Sequence, residues 1–430
     1  MSNDSAADDG VVSGFGERLP SLSEQMGLLG QRLAENGAIG LILIDATPLV
    51  QIERHYGAGP MSRVLEALAQ RVRAQLAKDL KEDVLATAGV LGGEHILLFL
   101  NRPYSDHKFY TRLLPRVAEK VRSYVADCVK RIVYPYLDHA PEIPVGHGLA
   151  LHRPFNRPEA QIRRLIEQSR STAHFELERV RRGRVATLEE ILLEENVSIV
   201  YQPVVSLAER EVIGYEALMR GPVASGLESP LTLFQIAENC DLEYELDRLC
   251  RRQALRNAKG IERDQKLFLN ILPASIHDPE FEDAGLQAML AELRLSSHNL
   301  VFEISERQAI GNFHIFREAI DYFKKLGFSI ALDDIGAGFS SFEAVLELSP
   351  DFLKIDMSLV RGIEENPPKQ ELLRGLQTLA EKMSSTIIAE GIETPNELQV
   401  IEELGIRCGQ GFLLGRAGTL CAAKEVASTS

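Results

Sequence analysis

Short apolar runs recur eight times after Thr187, and most of the gaps between them hold an amphipathic helix. Two of these helices, at 313–326 and 371–383, place apolar residues at helical spacing. Eight strands with intervening helices over roughly 240 residues are the size and rhythm of a (β/α)8, TIM-like barrel. A doubly wound open sheet gives a similar alternation, so the periodicity alone leaves both architectures open. The runs cover residues 198–203, 212–218, 266–271, 299–304, 328–333, 352–355, 386–390 and 406–412.

The sequence before these runs predicts three further parts. Residues 1–22 are rich in Ser, Asp and Gly, which is typical of a disordered tail. Residues 23–180 alternate strand-like and helix-like segments, which indicates an N-terminal layered α/β domain. Residues 181–188 are the predicted linker to the barrel domain at 189–430. The basic segment 175–184 predicts a helix end followed by a hinge. A solvated helix face without a partner explains its charge at least as well as a regulatory role does.

The formal net charge of −15 restricts the partners of this chain. General binders of nucleic-acid polymers or membrane surfaces need a basic field, so we expect neither partner. Local cations or metal ions still allow one site to bind a small anion. The amino terminus lacks the features of a signal peptide, no apolar stretch is long enough to cross a bilayer, and the scattered cysteines form no CxxC pair. We therefore expect a cytoplasmic protein with reduced thiols.

Polar residues lie at or near the ends of most apolar runs in the second half of the chain. In a parallel barrel the carboxyl ends of all strands open on one face, so these side chains would meet in a single mouth. Any one of the acids is equally well explained as a cap of the following helix. A set made entirely of caps is less plausible, because a cap needs one oxygen at a helix start and not a cluster of carboxylates. The residues are Glu216, Asn270, Glu303, Asp333, Asp334, Lys354 and Glu390.

A cluster of carboxylates in one mouth needs positive charge, because like charges repel and raise each other's pKa. Oxygen atoms of Asp, Glu and Asn are ligands for hard divalent cations. No His is grouped at these strand ends, so Mg²⁺ or Mn²⁺ is favoured over zinc. The adjacent Asp333 and Asp334 suit one ion each, and two ions are suited to phosphodiester hydrolysis. The glycines of the following loop, Gly336 and Gly338, would let the backbone approach a ligand closely.

Over residues 189–416 the sequence resembles the EAL domain family. The segments Tyr201–Pro203 (YQP) and Glu216–Arg220 (EALMR) are similar to its first signatures. Later family motifs are matched in order by residues 269–273 (LNILP), 303–306 (EISE), 333–341 (DDIGAGFSS), 353–356 (LKID), 389–393 (AEGIE) and 410–416 (QGFLLGR). The Asp loop departs from the family at Ala337, where the family has Thr. Loss of the Thr hydroxyl is expected to loosen the loop and lower the rate.

The resemblance implies a phosphodiesterase that opens cyclic di-GMP to linear pGpG with two Mg²⁺ or Mn²⁺ ions. It implies five metal ligands, namely Glu216, Asn270, Glu303, Asp333 and Asp334. It also implies that Lys354 positions or deprotonates the attacking water, that Glu390 helps to hold the metals and their water, that Glu306 steadies the Asp loop, and that Gln410 lines the water site. The residues that would contact the dinucleotide are Gln202, Leu218, Arg220 and Asp247. Arg220 suits this role because a guanidinium is a planar bidentate donor for phosphate.

The first half of the chain resembles a GGDEF domain that has lost its chemistry. Residues 40–45 are similar to the opening strand of that family, and residues 91–96 (LGGEHI) lie where its signature hairpin belongs. His95 stands where the family has a catalytic acid. One metal-binding acid, Asp45, remains, although a helix cap explains it equally well. The resemblance implies a regulatory domain without cyclase activity, and degenerate domains of this kind bind GTP or mediate dimer contacts.

Three functions compete for this sequence. An active phosphodiesterase is preferred, because every metal-ligand position of the family is present. The alternative is a catalytically weak or inactive cyclic di-GMP receptor or adaptor that signals to a protein partner, although receptors on this fold usually lack metal ligands. A scaffold that binds no nucleotide fits the degenerate first half only. A homodimer is expected, because EAL-type domains often pair.

Overall fold

The computed structural model of the chain describes residues 19–80, 85–88, 94–137, 140–272, 275, 278–281, 284–305, 313–336 and 341–421. The chain divides into two compact units, Met1–Gly183 and Arg184–Ser430. Residues 1–18 of the predicted tail lie outside the described residues. The first helix then begins at Leu22, where Ser21 and Glu24 form a capping box.

The described residues of the first unit form an antiparallel sheet with helices on its faces, and the last of these helices continues past Gly183. Its strands are β1 (Ala38–Asp45), β2 (Leu85–Ala88), β3 (His95–Leu100) and β4 (Val145–Leu151). Its helices are α1 (Leu22–Asn36), α2 (Val50–Tyr56), α3 (Ala58–Leu80), α4 (Leu114–Val133) and α5 (Pro158–Leu193), with a 3-10 turn at Thr47–Leu49 and a π-helical turn at Phe109–Leu113. The strand order is β2-β3-β1-β4, and β1 is buried along its whole length.

The alternation of side chains along β1 gives the first unit two apolar layers. Ile42 and Ile44 pack with residues of α3 and α4 on one face of the sheet. Leu41 and Leu43 belong to a second cluster with residues of α1 and of the first half of α5. The α/β character predicted for this domain is therefore confirmed.

Helix α5 runs through residues 175–184, where the sequence predicts a helix end and a hinge. It also contains the predicted linker, 181–188, and ends at Leu193. The predicted helix end is wrong. This stretch contains no proline, and its one glycine, Gly183, costs a helix only about 1 kcal/mol. The division between the two units falls at Gly183, inside the helix.

The second unit is a closed barrel with the strand order β10-β11-β12-β5-β6-β7-β8-β9. The closure decides between the two architectures that the periodicity leaves open. The strands are β5 (Ser198–Ser206), β6 (Glu211–Arg220), β7 (Lys266–Asn270), β8 (Leu300–Ser305), β9 (Ser329–Ile335), β10 (Phe352–Ile355), β11 (Thr386–Ala389) and β12 (Cys408–Gly409). The helices are α6 (Pro230–Glu238), α7 (Glu243–Arg256), α8 (Ala284–Glu292), α9 (Phe313–Lys325), α10 (Ser341–Leu348), α11 (Met357–Val360), α12 (Pro367–Met383) and α13 (Pro395–Glu403). Among the described residues, no helix is both long and apolar enough to cross a membrane.

Strand β5 runs antiparallel to both of its neighbours, β6 and β12, whereas the other strand pairs of the barrel are parallel. Only residues 207–210 connect β5 to β6. A parallel pair needs a crossover of about a dozen residues, so this connection forces a hairpin. The expectation of a wholly parallel barrel is wrong for this strand. The hairpin pairs Gln202 directly with Glu216.

The inside of the barrel is apolar beneath the strand ends and polar at those ends. Phe268, Val301, Ala331 and Ile388 are buried together in one cluster. In each case the residue two positions later is polar. Side chains of a strand alternate between its two faces, so the apolar residue and the polar residue point to the same side. The polar residues are Asn270, Glu303, Asp333 and Glu390. The polar side chains at the strand ends therefore lie above a layer of packed apolar residues.

Candidate active site

The ammonium group of Lys354 lies among four carboxylates at the carboxyl ends of the barrel strands. Its Nζ is 2.7 Å from Glu303 Oε1, 2.8 Å from Glu390 Oε1, 3.2 Å from Asp333 Oδ1 and 3.4 Å from Glu216 Oε1. Lys354 and Glu303 are each only 1% exposed. The structure therefore brings together five of the strand-end residues that the sequence singles out.

Burial and mutual repulsion perturb the acids of this cluster. Burial raises the pKa of Glu303 well above its ordinary value, and the charges of Glu216 and Asp333 raise it further against the lowering effect of Lys354. Burial and the charges of Asp333 and Glu216 raise the pKa of Glu390 to about 8, although Lys354 opposes them. Burial lowers the pKa of Lys354, but the four carboxylates outweigh it and hold that pKa well above its ordinary value. The cluster has more negative than positive charge to accommodate, which favours binding of a further cation.

Asn270 and the Asp333–Asp334 pair lie beside this cluster. Asn270 ends β7, and its Nδ2 donates to Glu303 Oε2 at 3.1 Å. The backbone N–H of Asp334 donates to Asp333 Oδ1 at 3.0 Å. Asp334 has a φ of 60°, a left-handed conformation that is uncommon for residues other than glycine. Backbone strain of this kind often accompanies functional sites, because the surrounding structure must hold it in place.

Gln410 connects the last strand of the barrel to the first hairpin. Its Nε2 donates to Glu216 Oε2 at 2.6 Å and to Gln202 Oε1 at 3.1 Å. The Nε2 of Gln202 in turn donates to the carbonyl oxygen of Gly415 at 3.1 Å. Gln410 is 4% exposed, and its Oε1 accepts no hydrogen bond within the described part of the chain. Buried acceptors are normally hydrogen-bonded, so this oxygen is available to a further donor.

The donor set of the cluster fits a hard divalent cation, because it consists of carboxylate oxygens and one carboxamide. As the side chains stand, no group of three or more His, Cys, Asp or Glu residues in the described ranges is arranged to hold a metal ion. The ammonium of Lys354 occupies the point that four of these carboxylates share. The oxygen atoms are therefore gathered around a cation, and that cation is a side chain of the protein.

Two glycines let the site loops pass close to helix α11. Gly336 follows the Asp pair with a φ of 103°, and Gly391 follows the last acid of the site with a φ of 70°. A Cβ at Gly336 would collide with the side chain of Leu359, and one at Gly391 with that of Met357. The sequence predicts that Gly336 lets the backbone approach a ligand closely. In the structure the backbone at Gly336 lies close to the side chain of Leu359. Residues 337–340 of this loop, and Glu306, which is expected to steady it, lie outside the described residues.

Leu218 and Arg220 lie on the same side of β6 as Glu216, because alternate residues of a strand share a face. Both side chains are half-buried. One guanidinium nitrogen of Arg220 donates to the carbonyl oxygen of Met219 at 2.7 Å. Strand β6 therefore carries the apolar Leu218 two residues after Glu216 and the cationic Arg220 four residues after it.

Asp247, on helix α7, is 3% exposed. Its carboxylate accepts hydrogen bonds from the backbone N–H of Leu272 at 3.2 Å and from the hydroxyl of Ser275 at 2.7 Å. Burial raises the pKa of Asp247 to about 6, against the lowering effects of Arg251 and these hydrogen bonds. In the structure, Asp247 supports the segment that follows Asn270.

Arg251 is a site-supporting residue that the sequence reasoning missed. It is 4% exposed, its Nε lies 3.4 Å from Asp247 Oδ2, and its Nη2 donates to Asp278 Oδ2 at 2.7 Å. Its guanidinium carbon also lies 4.8 Å from the ring centroid of Phe281. The available signal was the i, i+4 spacing of Asp247 and Arg251, which places both on one face of a helix.

In the first unit, both carboxylate oxygens of Asp45 already have partners. Oδ1 accepts hydrogen bonds from the backbone N–H and the hydroxyl of Thr47, at 3.0 and 2.5 Å, and Oδ2 lies 2.8 Å from His174 Nε2. The Nε2 of His95 is 3.7 Å from Oδ1. Burial raises the pKa of Asp45, but the Thr47 hydrogen bonds and the two imidazoles outweigh it and lower that pKa below its ordinary value. The sequence reasoning missed His174, which lies 129 positions away on α5.

The fold and the site define the second unit as a TIM-like barrel with an acid-rich centre at the carboxyl ends of its strands. The chain belongs to the EAL domain family. The family's EAL domain matches residues 185–417, which is more than half of the chain. The matched range includes every strand of the barrel and every residue of the acid cluster.

Curated proteins of similar sequence include several that are named as cyclic di-GMP phosphodiesterases or probable ones. The chain is 26% identical over 411 residues to the cyclic di-GMP phosphodiesterase NbdA of Pseudomonas aeruginosa, covering 90% of this chain and 50% of that protein. It is 30% identical over 247 residues to the probable cyclic di-GMP phosphodiesterase PdeN of Escherichia coli, covering 55% and 46%. It is 27% identical over 413 residues to an uncharacterized protein of Mycobacterium tuberculosis, covering 90% and 63%. The chain spans less than two thirds of the length of each of these relatives.

Solved structures with the same fold include complexes with cyclic di-GMP. The EAL enzyme Bd1971, with cAMP and cyclic di-GMP bound, matches at a TM-score of 0.52 and 25% identity, covering 68% of this chain and 81% of that chain. The EAL domain of FimX from Xanthomonas citri, in complex with cyclic di-GMP, matches at a TM-score of 0.51 and 24% identity, covering 57% and 97%. The second likeness supports the fold alone.

Proposed function

We propose that the second unit is a cyclic di-GMP-specific phosphodiesterase that hydrolyses its substrate to linear pGpG. The observation that carries this proposal is the convergence of four acids and Lys354 on one point at the barrel mouth. Such a centre suits an anionic substrate only when cations neutralise it, and two bound divalent ions are suited to phosphodiester hydrolysis. The relatives named as cyclic di-GMP phosphodiesterases support the choice of substrate.

The proposed cofactors are two Mg²⁺ or Mn²⁺ ions. When bound, such ions make a hydroxide available near neutral pH and neutralise the charge that develops on the phosphoryl oxygens. The donors offered are oxygen atoms, which favour these ions over zinc. The proposed ligands are Glu216, Asn270, Glu303, Asp333 and Asp334.

The other residues of the site act on water and on the dinucleotide. Lys354 is proposed to direct the attacking water and Glu390 to hold it, since the two side chains are 2.8 Å apart. Gln410 offers the water its buried Oε1. Arg220 is proposed to bind a phosphate, and the remaining dinucleotide contacts are assigned to Gln202, Leu218 and Asp247. Glu306 is proposed to steady the Asp loop.

Turnover by the purified chain tests this function. With Mn²⁺ present, cyclic di-GMP should be converted to pGpG, and EDTA should abolish the conversion. Glu216→Ala should lower the rate by at least roughly a hundredfold, the scale of losing one transition-state-stabilising group. Glu211→Ala is the matched control, because Glu211 is the exposed first residue of the same strand. Binding without any turnover in metal-replete buffer would instead identify a cyclic di-GMP receptor.

For the first unit, the proposal is a GGDEF-like domain without cyclase activity that regulates the barrel. Its antiparallel sheet and the position of Asp45 at the end of β1 support this assignment. The partners of Asp45 in Thr47 and His174 support the loss of catalysis, because they occupy the carboxylate. Binding of GTP by this unit, formation of a homodimer and a cytoplasmic location stay predictions.

A further inference from the structure

Lys354 is a buried ammonium with four carboxylates around it. Burying an ammonium is costly, and contact with carboxylates is what can compensate for it. An ammonium has three N–H donors, whereas four carboxylates lie within 3.4 Å of Nζ. Lys354 therefore has fewer N–H donors than there are carboxylates to bind. The negative charge of these carboxylates in turn compensates for the cost of burying its ammonium.

We infer that Lys354 is the built-in counter-cation of the metal-free barrel, which divalent ions displace from its carboxylates when they load. The inference rests on the proposed metal site and goes beyond it, because it gives Lys354 a role before any metal is bound. The class of ligand that competes with Nζ is a hard divalent cation.

Distances explain why the two cations exclude each other. Carboxylate oxygens lie about 2.7–2.9 Å from an ammonium nitrogen but about 2.0–2.1 Å from Mg²⁺. The oxygens of Glu303 and Glu390 that surround Nζ stand at ammonium distances. They are therefore too far away to coordinate a metal ion placed at the position of Nζ. A divalent ion carries twice the charge and accepts six or more oxygen ligands. It can therefore satisfy acids that the ammonium leaves only partly neutralised.

A purely chemical role for Lys354 makes a different prediction. If Lys354 acted only on water during hydrolysis, its removal would leave the metal-free protein as stable as before. As a counter-cation, it must contribute to stability in the absence of metal and of substrate. Stability without metal is therefore the measurement that separates the two roles.

Thermal unfolding of the EDTA-treated full chain tests the inference. Lys354→Met should lower the melting temperature of the metal-free protein by roughly 5 °C or more, as expected when one partner of a buried ion pair is lost. Mn²⁺ should then raise the melting temperature of this variant by more than it raises that of the wild type. Lys259→Met is the matched control, because Lys259 is an exposed lysine that lies 3.8 Å from one exposed carboxylate, that of Glu292. It should leave both quantities unchanged.

A second variant keeps the test valid if Lys354→Met does not fold. Glu303→Gln should lower the melting temperature in the wild type, because it removes a partner of Lys354. It should lower the melting temperature less in the Lys354→Met background, or not at all, because there Glu303 no longer has Lys354 as a partner. If Lys354→Met does not fold, metal-free Glu303→Gln is compared with Glu292→Gln, which removes the exposed partner of Lys259 and should leave the melting temperature unchanged.

Three outcomes are decisive. Equal melting temperatures of the metal-free wild type and Lys354→Met would overturn the inference. An equal loss of melting temperature on Glu303→Gln in the wild type and in the Lys354→Met background, or no loss in the metal-free wild type, would overturn it as well. If Lys354→Met is destabilised but Mn²⁺ shifts neither protein, the counter-cation role is supported and the proposed metal site fails.

Discussion

The Nε2 of Gln410 donates a hydrogen bond of 2.6 Å to Glu216 Oε2 from 194 positions further along the chain. The contact crosses the point where the barrel closes, because antiparallel β5 lies between β12 and β6. The same amide group reaches Gln202 on β5. One carboxamide thus orients a proposed metal ligand and ties the last strand to the first hairpin.

Replacing Gln410 should impair metal binding more than substrate binding. Gln410→Leu removes the donor that orients Glu216, and loss of such a supporting contact typically costs 10–100-fold in metal affinity or activity. We expect the Mn²⁺ concentration for half-maximal rate to rise by roughly 10-fold or more. The change in KM for cyclic di-GMP should be smaller, because Gln202 loses one hydrogen bond but keeps the one to Gly415. Steady-state kinetics over a range of Mn²⁺ concentrations measure both. Gln399→Leu is the control, because Gln399 is exposed and bonds only to Glu403 among the contacts described. An unchanged Mn²⁺ dependence in Gln410→Leu would contradict the orienting role.

Gly391→Ala should disturb the site by moving the backbone next to Glu390. The new Cβ would be strained at a φ of 70° and would also collide with Met357. We expect a loss of about 1–3 kcal/mol of stability and a clear fall in kcat. Gly405→Ala separates the two causes, because Gly405 has a φ of 80° but nothing within 4 Å of its Cβ position. Denaturant unfolding and kcat should show the smaller effect in Gly405→Ala. Equal losses of kcat in both variants would exclude the collision as the cause.

The buried carboxyl of Asp247 should make stability depend on pH. Its pKa in the folded protein is about 6, raised from 3.8 chiefly by burial. The folded state therefore holds this proton more tightly than the unfolded state does. The stabilisation is complete below pH 3.8 and is lost as the pH rises through 6, amounting to roughly 3 kcal/mol.

Asp247→Asn removes this titration, so its free energy of unfolding relative to wild type should improve as the pH rises from 4 to 7. Urea unfolding of both proteins at each pH measures the difference. Asp264→Asn, at an exposed position, is the control. A constant difference between Asp247→Asn and wild type across this range would show that Asp247 does not titrate there.

The first unit should make no cyclic di-GMP from GTP. Its remaining acid, Asp45, is engaged by Thr47 and His174, and His95 lies where a cyclase needs an acid. Incubation of Glu216→Ala protein with GTP and Mg²⁺ is the appropriate assay, because the barrel then cannot consume a product as it forms. An active cyclase serves as the positive control for detection. Accumulation of cyclic di-GMP in this assay would contradict the assignment.

Local periodicity predicted much of the barrel. The apolar run at 299–304 became β8 (Leu300–Ser305), and the run at 352–355 became β10 (Phe352–Ile355). The polar residues at the ends of these runs met in one mouth because parallel strands present their carboxyl ends together. The direction of β5 was not predicted, since it depends on the short connection at 207–210. The helix end predicted in the basic segment 175–184 is wrong, because charged side chains on a helix surface do not stop the helix.

What the sequence determined by itself was the set of strands, the oxygen-bearing side chains at their ends and membership of a family. These follow from patterns of period 2 and 3.6 and from motifs a few residues long. Only the tertiary structure decided which charges face one another. It placed Lys354 among four acids, turned Asp247 inward against Leu272 and Ser275, and gave both oxygens of Asp45 a partner. The reason is that electrostatic energy depends on distance and burial, and side chains far apart in the sequence acquire both only when the barrel closes.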